Sequence, residues 1–325
     1  MSEADLSDSG DSEFEAFDAR AAARICWYYF KEGQTQEAIA QRLGVTRKRV
    51  NRSIADALAR GLVQIGIDDR YGPCIELEAR LAEQFKLRRA IVVPSPMPDV
   101  DVRAIVGAAA GQYINGRLGP SETLGITWGG TIHAAAQNIR RRLSSSNEVV
   151  SLSGGLPVSG SINPYDNAAM VARSLGAVCR YITAPMIADS AATRDAFVRS
   201  SSIRSVLDAV ANIDVALLSA VDLTSASRAL EYGVITKAEG KSLRDAGCVG
   251  DIAGQYLDRN GKLIDHPFVK RVVAPALTDL RSIKELVLAA GGVQKVELIS
   301  AGIHAGLCHV LITDENAAAK LLGRS

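Results

Sequence analysis

Two spacings of apolar residues divide this chain. Up to Arg60 apolar positions recur three and four apart, the period of one buried helical face. Gln36 to Arg42, with Ala38, Ile39 and Leu43 inward, predicts a short helix. Gly44 suits a left-handed exit from it, and Thr46 can cap a second helix. That second helix places Val50, Ile54, Ala57 and Leu58 inward. Upstream, a helix from Asp18 carries Ala22, Ile25, Cys26 and Tyr29 on one stripe, with Trp27, Tyr28 and Phe30 filling neighbouring core positions. After Gly61, Leu62 to Ile67 reads as a short strand, so the predicted head is a winged helix-turn-helix.

Beyond the turn-forming stretch Asp68 to Pro73, Ile75 to Leu87 predicts an amphipathic helix, placed on the second domain or against a partner subunit. The pattern then changes. β-branched runs recur at Ala90 to Val93, Thr123 to Thr127, Glu148 to Leu152, Val178 to Thr183, Val215 to Ser219, Val272 to Ala274, Leu286 to Ala289 and Val310 to Thr313. Helical patterns at Val102 to Leu118, Ile132 to Leu143, Asn167 to Leu175 and Thr193 to Val210 separate them. Near-continuous apolar strands alternating with helices predict an α/β fold, a Rossmann-like parallel sheet covered on both faces. The expected division is an acidic disordered tail over 1–17, a DNA-binding head over 18–68 and a larger domain over 69–325.

Charge sharpens the picture of the head. The formal net charge of the whole chain is only +1, so its basic character is local. Arg47, Lys48, Arg49, Asn51 and Arg52 gather in the first turns of the second helix, and Thr46 to Arg60 holds five basic residues against Asp56 alone. That arrangement fits a recognition helix entering the major groove of double-stranded DNA, with Gln36 and Thr46 completing the contacting set. A solvated basic face on a helical hairpin is the blander alternative. The five cysteines are scattered without CxxC spacing, which fits a reducing cytoplasm and neither a zinc ribbon nor a redox motif. No apolar run is long enough to span a bilayer, and the acidic start does not read as a signal peptide.

In parallel α/β sheets ligands bind at the carboxyl ends of strands, so polar and glycine-rich sequence in the loops there marks candidate sites. Gly125 to Thr131 (GITWGGT) could cradle an anion on backbone amides and the Thr131 hydroxyl, although Gly-Gly-Thr is also a common turn and cap. Ser153 to Leu156 (SGGL) follows another strand. Asp251 follows Gly250, where a helix cap is the competing role. Ala290 to Lys295 (AGGVQK) sets a lysine at a helix start, an electrostatically unfavourable place unless a ligand compensates. The four histidines and the remaining acids show no metal spacing and no catalytic constellation, so no catalytic residue, metal or cofactor is assigned.

These pieces, in this order, resemble the SorC-type sugar-binding transcriptional regulators, a branch close to the DeoR-like repressors. The resemblance runs from about Ala22 to Leu322. It is carried by AIAQRLGVTRKRVNRSIADALARGLVQI, LGITWGGT, VSLSGGL, NPYDNAAMVARSLGA, ITAP, GCVGDIAGQYLDRNG, KRVVAPAL, LAAGGVQK and VLITDE. It implies a large domain with the fold of ribose-phosphate isomerases, glucosamine-phosphate deaminases and coenzyme A transferases, used as a sensor of a sugar, polyol or sugar phosphate. By family position Gly129, Gly130 and Thr131 would line the pocket, with Ser153, Gly154, Gly155 and Asn167 opposite. Asp251 and Lys295 would be the charged anchors, and Trp128 and Pro185 belong to the same marker loops. Family members are typically dimers or tetramers on paired operators. The chain departs from the pattern at AVDLTSAS, where Asp222 could bond a polyol or repel a phosphate, and in opening its recognition helix with TRKRVN rather than serines.

The implied function is a ligand-responsive transcription factor. The alternatives are a sugar-phosphate isomerase-like enzyme with a nucleic-acid head, and a sigma-factor-like or nucleoid protein that would leave the glycine loops without a role. Replacing Arg49 and Arg52 together by Ala is expected to abolish operator binding in a gel-shift titration while leaving effector-induced thermal stabilisation intact. Loss of both properties would show that the two functions do not separate.

Overall fold

The computed structural model describes residues 20–60, 62–63, 72–96, 100–142, 145–157 and 163–323. Internal contacts divide the chain into two units, Met1–Asp68 and Asp69–Ser325. The acidic tail over 1–17 and most of the wing and linker lie outside the described residues; Leu62 and Val63, assigned to the wing strand, lie in a bend.

The head is built from three helices. Helix α1 covers 20–26 and continues as a wide turn, Trp27–Lys31. Helices α2 (Gln36–Leu43) and α3 (Arg47–Ala59) follow. Thr35 caps α2 by accepting from the Ala38 amide at 3.2 Å, and Thr46 caps α3 by accepting from Arg49 N at 3.2 Å. Between them Gly44 adopts φ 63°, the left-handed turn that glycine takes without strain. The core is Ile25, Cys26, Ile39, Ala40, Val50, Ile54 and Ala57. Two inward assignments fail by one helical step. Ala38 is exposed and Ala40 buried, and Leu58 is exposed because Val50, Ile54 and Ala57 already define the face. The wide turn of α1 adds a residue to the local period, and Trp27 and Phe30, expected in the core, are exposed.

The larger unit is organised by one sheet. Its parallel strands run in the order β1 (Arg89–Val93), β9 (Val310–Asp314), β8 (Glu285–Ala289), β5 (Val215–Asp222), β2 (Thr123–Ile126), β3 (Glu148–Gly155) and β4 (Val178–Pro185). Helices α4 (Gly72–Gln84), α5 (Val102–Arg117), α6 (Gly130–Gln137), α7 (Pro164–Leu175), α8 (Ala191–Arg199) and α9 (Ser201–Ala209) lie among the strands in sequence. After β5 come α10 (Arg228–Glu231) and α11 (Lys237–Asp245), and later α12 (Leu277–Ser282), α13 (Val296–His304) and α14 (Glu315–Leu322). Every residue of β5 and β9 is buried, as a sheet covered on both faces requires.

Several boundaries move. The single helix expected over Thr193 to Val210 is broken at Ser200, whose ψ of 138° ends α8 and starts α9. The pattern at Ile132 to Leu143 holds a helix only to Gln137. Val272 to Ala274 is no strand: Val272 makes a single antiparallel bridge to Ile187. Asp251 lies in an unexpected hairpin, β6 (Cys248–Ile252) and β7 (Gln255–Asp258), which extends the end of β5 antiparallel. Gly72 and Pro73, assigned to the linker, open α4, which docks on the larger unit through Cys74 and Leu81 and accepts the Val92 amide on Glu78 at 2.8 Å.

Helices α5 and α6 approach closely because α5 presents glycines there. A Cβ on Gly107 would lie 2.6 Å from the Thr131 carbonyl oxygen, and one on Gly111 would lie 2.6 Å from that of Ala135. This contact sets where the first turn of α6 stands. Gly107→Ala is therefore expected to cost about 1–3 kcal/mol through overpacking. Gly116→Ala, on the same helix with open space around it, should be neutral or stabilising by up to about 1 kcal/mol. Chemical denaturation of the two variants checks the difference.

Candidate functional site

The first feature is the outer surface of α3. Arg47, Lys48, Arg49, Asn51 and Arg52 are all exposed, while the opposite face of the helix is buried. Gln36 Nε2 donates to Asn51 Oδ1 at 3.4 Å, joining the starts of α2 and α3 in one polar surface. Among the described residues Arg52 has only a loose ion pair with Asp56, 3.8 Å long and solvent-exposed, which would compete weakly with a phosphate.

The second is a cleft of about 400 Å³ at the carboxyl ends of the adjacent strands β8, β5 and β2. From β2 come Trp128, Gly129, Gly130 and Thr131; from β5, Ser219 and Asp222; from the turn after β8, Gly291, Gln294 and Lys295. Gly129 has φ 106° and Gly292 φ 94°, conformations that glycine alone takes cheaply. The β2 and β5 ends are tied together. Thr127 Oγ1 accepts the Ser219 amide at 3.0 Å, and the Ser219 hydroxyl donates to the Trp128 carbonyl at 2.5 Å. Gly130 and Thr131 begin α6, so their amides open toward the cleft with the positive end of the helix.

Lys295 closes the short turn Val293–Lys295 ahead of α13 and is half-buried. Burial lowers the pKa of its ammonium below the ordinary lysine value, against the opposing pull of Asp222. Among the described residues the ammonium has no hydrogen-bond or ion-pair partner. Asp222 Oδ1 accepts from both the amide and the hydroxyl of Thr224, at 3.0 and 2.5 Å.

The remaining assigned residues lie elsewhere. Asp251 and Ser153 line a small neighbouring chamber with Trp128 and Tyr256. Burial pushes the Asp251 carboxyl up to about 7, opposed by hydrogen bonds from the Gly254 amide and the Trp128 side chain. Its Oδ1 has no partner among the described residues. Gly154 and Gly155 do not face the cleft. They serve packing: a Cβ on the first would meet the Ala184 carbonyl at 2.6 Å, and on the second the Tyr165 ring at 2.4 Å. Pro185 is paired opposite Gly155 at the irregular end of the β3–β4 ladder. Asn167 Oδ1 meets His133 Nδ1 at 3.0 Å, joining α7 to α6. Neither Pro185 nor Asn167 lines the cleft.

Sequence reasoning missed Asp101, Arg103, Thr224, Ser225, Arg228 and Gln294, which do line it. Asp101 was findable as the cap of α5, since it accepts the Arg103 amide at 3.0 Å. The residues at 224–228 follow directly on the segment in which Asp222 stood out. Nothing local to Arg103 or Arg228 points to a cavity.

Comparison with known proteins agrees with this layout. Residues 69–323 match the sugar-binding domain family, Sugar-bind, and residues 18–60 match the sigma-70 region 4 family. The erythritol catabolism regulatory protein EryD of Brucella abortus is 28% identical over 309 residues, covering 94% of this chain and 98% of that protein. The transcriptional regulator LsrR of Escherichia coli K12 is 30% identical over 327 residues, covering 98% of this chain and 99% of LsrR. In fold, the full-length sorbitol operon regulator SorC of Klebsiella pneumoniae superposes with a TM-score of 0.70 at 24% identity, over 94% of this chain and 99% of SorC. A helix-turn-helix head, a parallel-sheet body with a cleft at its strand ends, and relatives matched over nearly their whole length converge: the chain belongs to the SorC-type family of sugar-binding transcriptional regulators.

Proposed function

We propose that this regulator binds operator DNA through the exposed first turns of α3 and is controlled by a sugar, polyol or sugar phosphate held in the cleft at the ends of β2, β5 and β8. The observation that carries the effector reading is the cleft itself. Backbone amides at a helix start, a lysine with a displaced pKa and an aspartate with one oxygen to spare converge there. Hydroxyl-rich ligands need that mixture of donors and acceptors. In this reading Gly129, Gly130, Thr131, Trp128, Asp222 and Lys295 touch the effector. Asp251 and Ser153, behind Trp128, receive a hydroxyl that reaches past the indole. Gly154, Gly155, Asn167 and Pro185 shape the floor by holding β3, β4 and α7. The relative named for erythritol catabolism supports a short polyol among the candidates.

The head would contact DNA with Gln36, Thr46, Arg47, Lys48, Arg49, Asn51 and Arg52. Arginine and asparagine suit guanine and adenine edges, and Lys48 suits the backbone. The protein would act in the cytoplasm as a homodimer or homotetramer on half-sites about one helical turn apart, or a multiple of that. Control follows if the effector binds two arrangements of the protein with different affinities, which by linkage changes operator affinity by the same factor. It would regulate a carbohydrate catabolic operon. The regulator names of its relatives favour a sensor over an isomerase-like enzyme. Product formation from candidate sugar phosphates would reverse that preference.

Lys295→Ala is expected to weaken effector binding about 10–100-fold by loss of a charged hydrogen bond, with operator binding by the free protein retained. An unchanged dissociation constant in titration calorimetry would refute the role. Asp251 supplies a pH test. Burial raises its carboxyl to about 7 in the folded protein, above the ordinary aspartate value, so the protonated form is favoured and stability is highest at low pH and lost as pH rises toward 7. Relative to Asp251→Asn, the protein should lose up to about 1.4 kcal/mol per pH unit between roughly pH 4 and 7, read from denaturation midpoints.

A further inference from the structure

The carboxylate of Asp314 takes bonds from three separate segments, and none of the assignments above uses it. Asp314 ends β9, caps α14 and is 2% exposed. Its two oxygens serve different neighbours. Oδ1 accepts the Gly292 amide at 2.6 Å, in the turn after β8 that brings Gly291, Gln294 and Lys295 to the cleft. Oδ2 accepts the Ala317 amide of α14 at 3.3 Å and the Ser95 hydroxyl, from the loop after β1, at 3.2 Å. Ser95 Oγ in turn accepts the Asn316 amide at 2.9 Å. Asp314 itself does not line the cleft.

The cleft side of this joint is tight. Gly292, at φ 94°, donates its amide to Asp314 and accepts the Lys295 amide on its carbonyl at 3.0 Å. The backbone of the lysine therefore hangs from the carboxylate through a single residue. A Cβ on Gly291 would lie 2.8 Å from Asp314 Oδ1 and 2.9 Å from Val102 Cγ2, so the turn has little room to slide. The other side of the joint leads away from the cleft. Helix α14 packs against both the turn Val293–Lys295 and α4. Its Ala317, Ala318, Leu321 and Leu322 share a core with Cys74 and Leu81 of α4. Burial, and then the nearby charges of Glu315 and Glu78, raise the Cys74 thiol pKa, which sets the first turn of α14 beside the start of α4. Helix α4 is the first that the chain forms in the larger unit after leaving the head.

We propose that Asp314 is the positioning residue through which occupancy of the cleft reaches the head: it links the lysine turn to the first turn of α14, and α14 passes a shift of that turn to α4. The proposal rests on the effector reading of the cleft and goes beyond it to the route of control. A carboxylate suits the task because both its oxygens accept, so it holds amides from two segments at once. An asparagine has one acceptor and one donor. It caps a helix as well as aspartate does, but its NH2 then faces the Gly292 amide, donor against donor. Asp314→Asn therefore cuts the cleft side of the link and leaves the α14 side. A real link shows itself as a coupling between perturbations at its two ends.

The test uses the purified full-length chain and a mutant cycle read by hydrogen–deuterium exchange. Gly292→Ala strains the left-handed position and displaces the turn. With Asp314 in place, that substitution should speed exchange in α4 at least about 5-fold. In the Asp314→Asn background it should change α4 by less than about 2-fold, while the turn itself responds in both. Exchange in α14 should stay within about 2-fold in Asp314→Asn, which separates a cut link from an unravelled helix. Ser95→Ala removes a bond to Oδ2 but leaves Gly292 tied, so the response of α4 to Gly292→Ala should persist there. An α4 that ignores Gly292→Ala, or responds equally in Asp314→Asn, overturns the link and leaves the effector reading standing. A second arm uses a duplex selected from random sequence by the unsubstituted protein, with erythritol and D-erythrose 4-phosphate as probes. A probe that binds in titration calorimetry should, at saturation, change duplex affinity at least about 10-fold in the unsubstituted protein and less than about 2-fold in Asp314→Asn. An equal change in both overturns the route. Binding of neither probe counts against the effector reading, and the exchange cycle then decides the link by itself.

Discussion

The parallel register of β8, β5 and β2 is the constraint on which the rest depends. These strands are neighbours only in the folded sheet, and their carboxyl ends deliver Gly291 to Lys295, Ser219 to Asp222 and Trp128 to Thr131 to one place. Strand side chains alternate between faces, so a slip of one residue in β5 would turn Ser219 to the opposite face, away from Thr127. The Thr127–Ser219 hydroxyl tie opposes such a slip, and both residues are buried. The glycines of α5 then let α6 approach, placing its first amides at the same edge.

Electrostatics at that edge follow from burial as much as from charge. Arg103 and Arg228 keep carboxylate partners close to water, so neither is an uncompensated buried charge. Among the described residues Asp251 has no ion-pair partner, and burial pushes its carboxyl up to about 7. Lys295 sits between these cases, half-buried and within reach of Asp222. Such unrelieved groups are a cost to folding that a ligand in the proposed effector cleft would offset.

In the head, local chemistry nearly sufficed. Gly44, Thr46 and the basic run 47–52 act within a few residues of themselves, and the helices they imply are present. The errors there were of phase: Ala38 and Leu58 stand one helical step off the buried face, and Trp27 and Phe30 follow a turn wider than 3.6 residues. In the larger unit the strand–helix rhythm was legible because buried parallel strands are written as apolar runs. The β6–β7 hairpin was not, since Gly250, Asp251 and the tight turn at Ala253–Gly254 interrupt its apolar pattern.

What the sequence by itself determined was therefore whatever is encoded over short range: the helix-turn-helix, the basic face of α3, the parallel α/β class, and the glycine loops after β2 and β8. Only the tertiary structure decided which loops share a cleft. It brought Trp128 to Thr131, Asp222 and Lys295 together, assigned Gly154 and Gly155 to backbone packing, put Asn167 against His133, and moved Asp251 into an adjoining chamber. It also brought in Arg103 and Arg228, which are separated from one another by 125 positions of sequence. The reason is physical: a glycine that admits a ligand and one that admits a neighbouring strand look identical in one dimension, and only the order of strands in the sheet tells them apart.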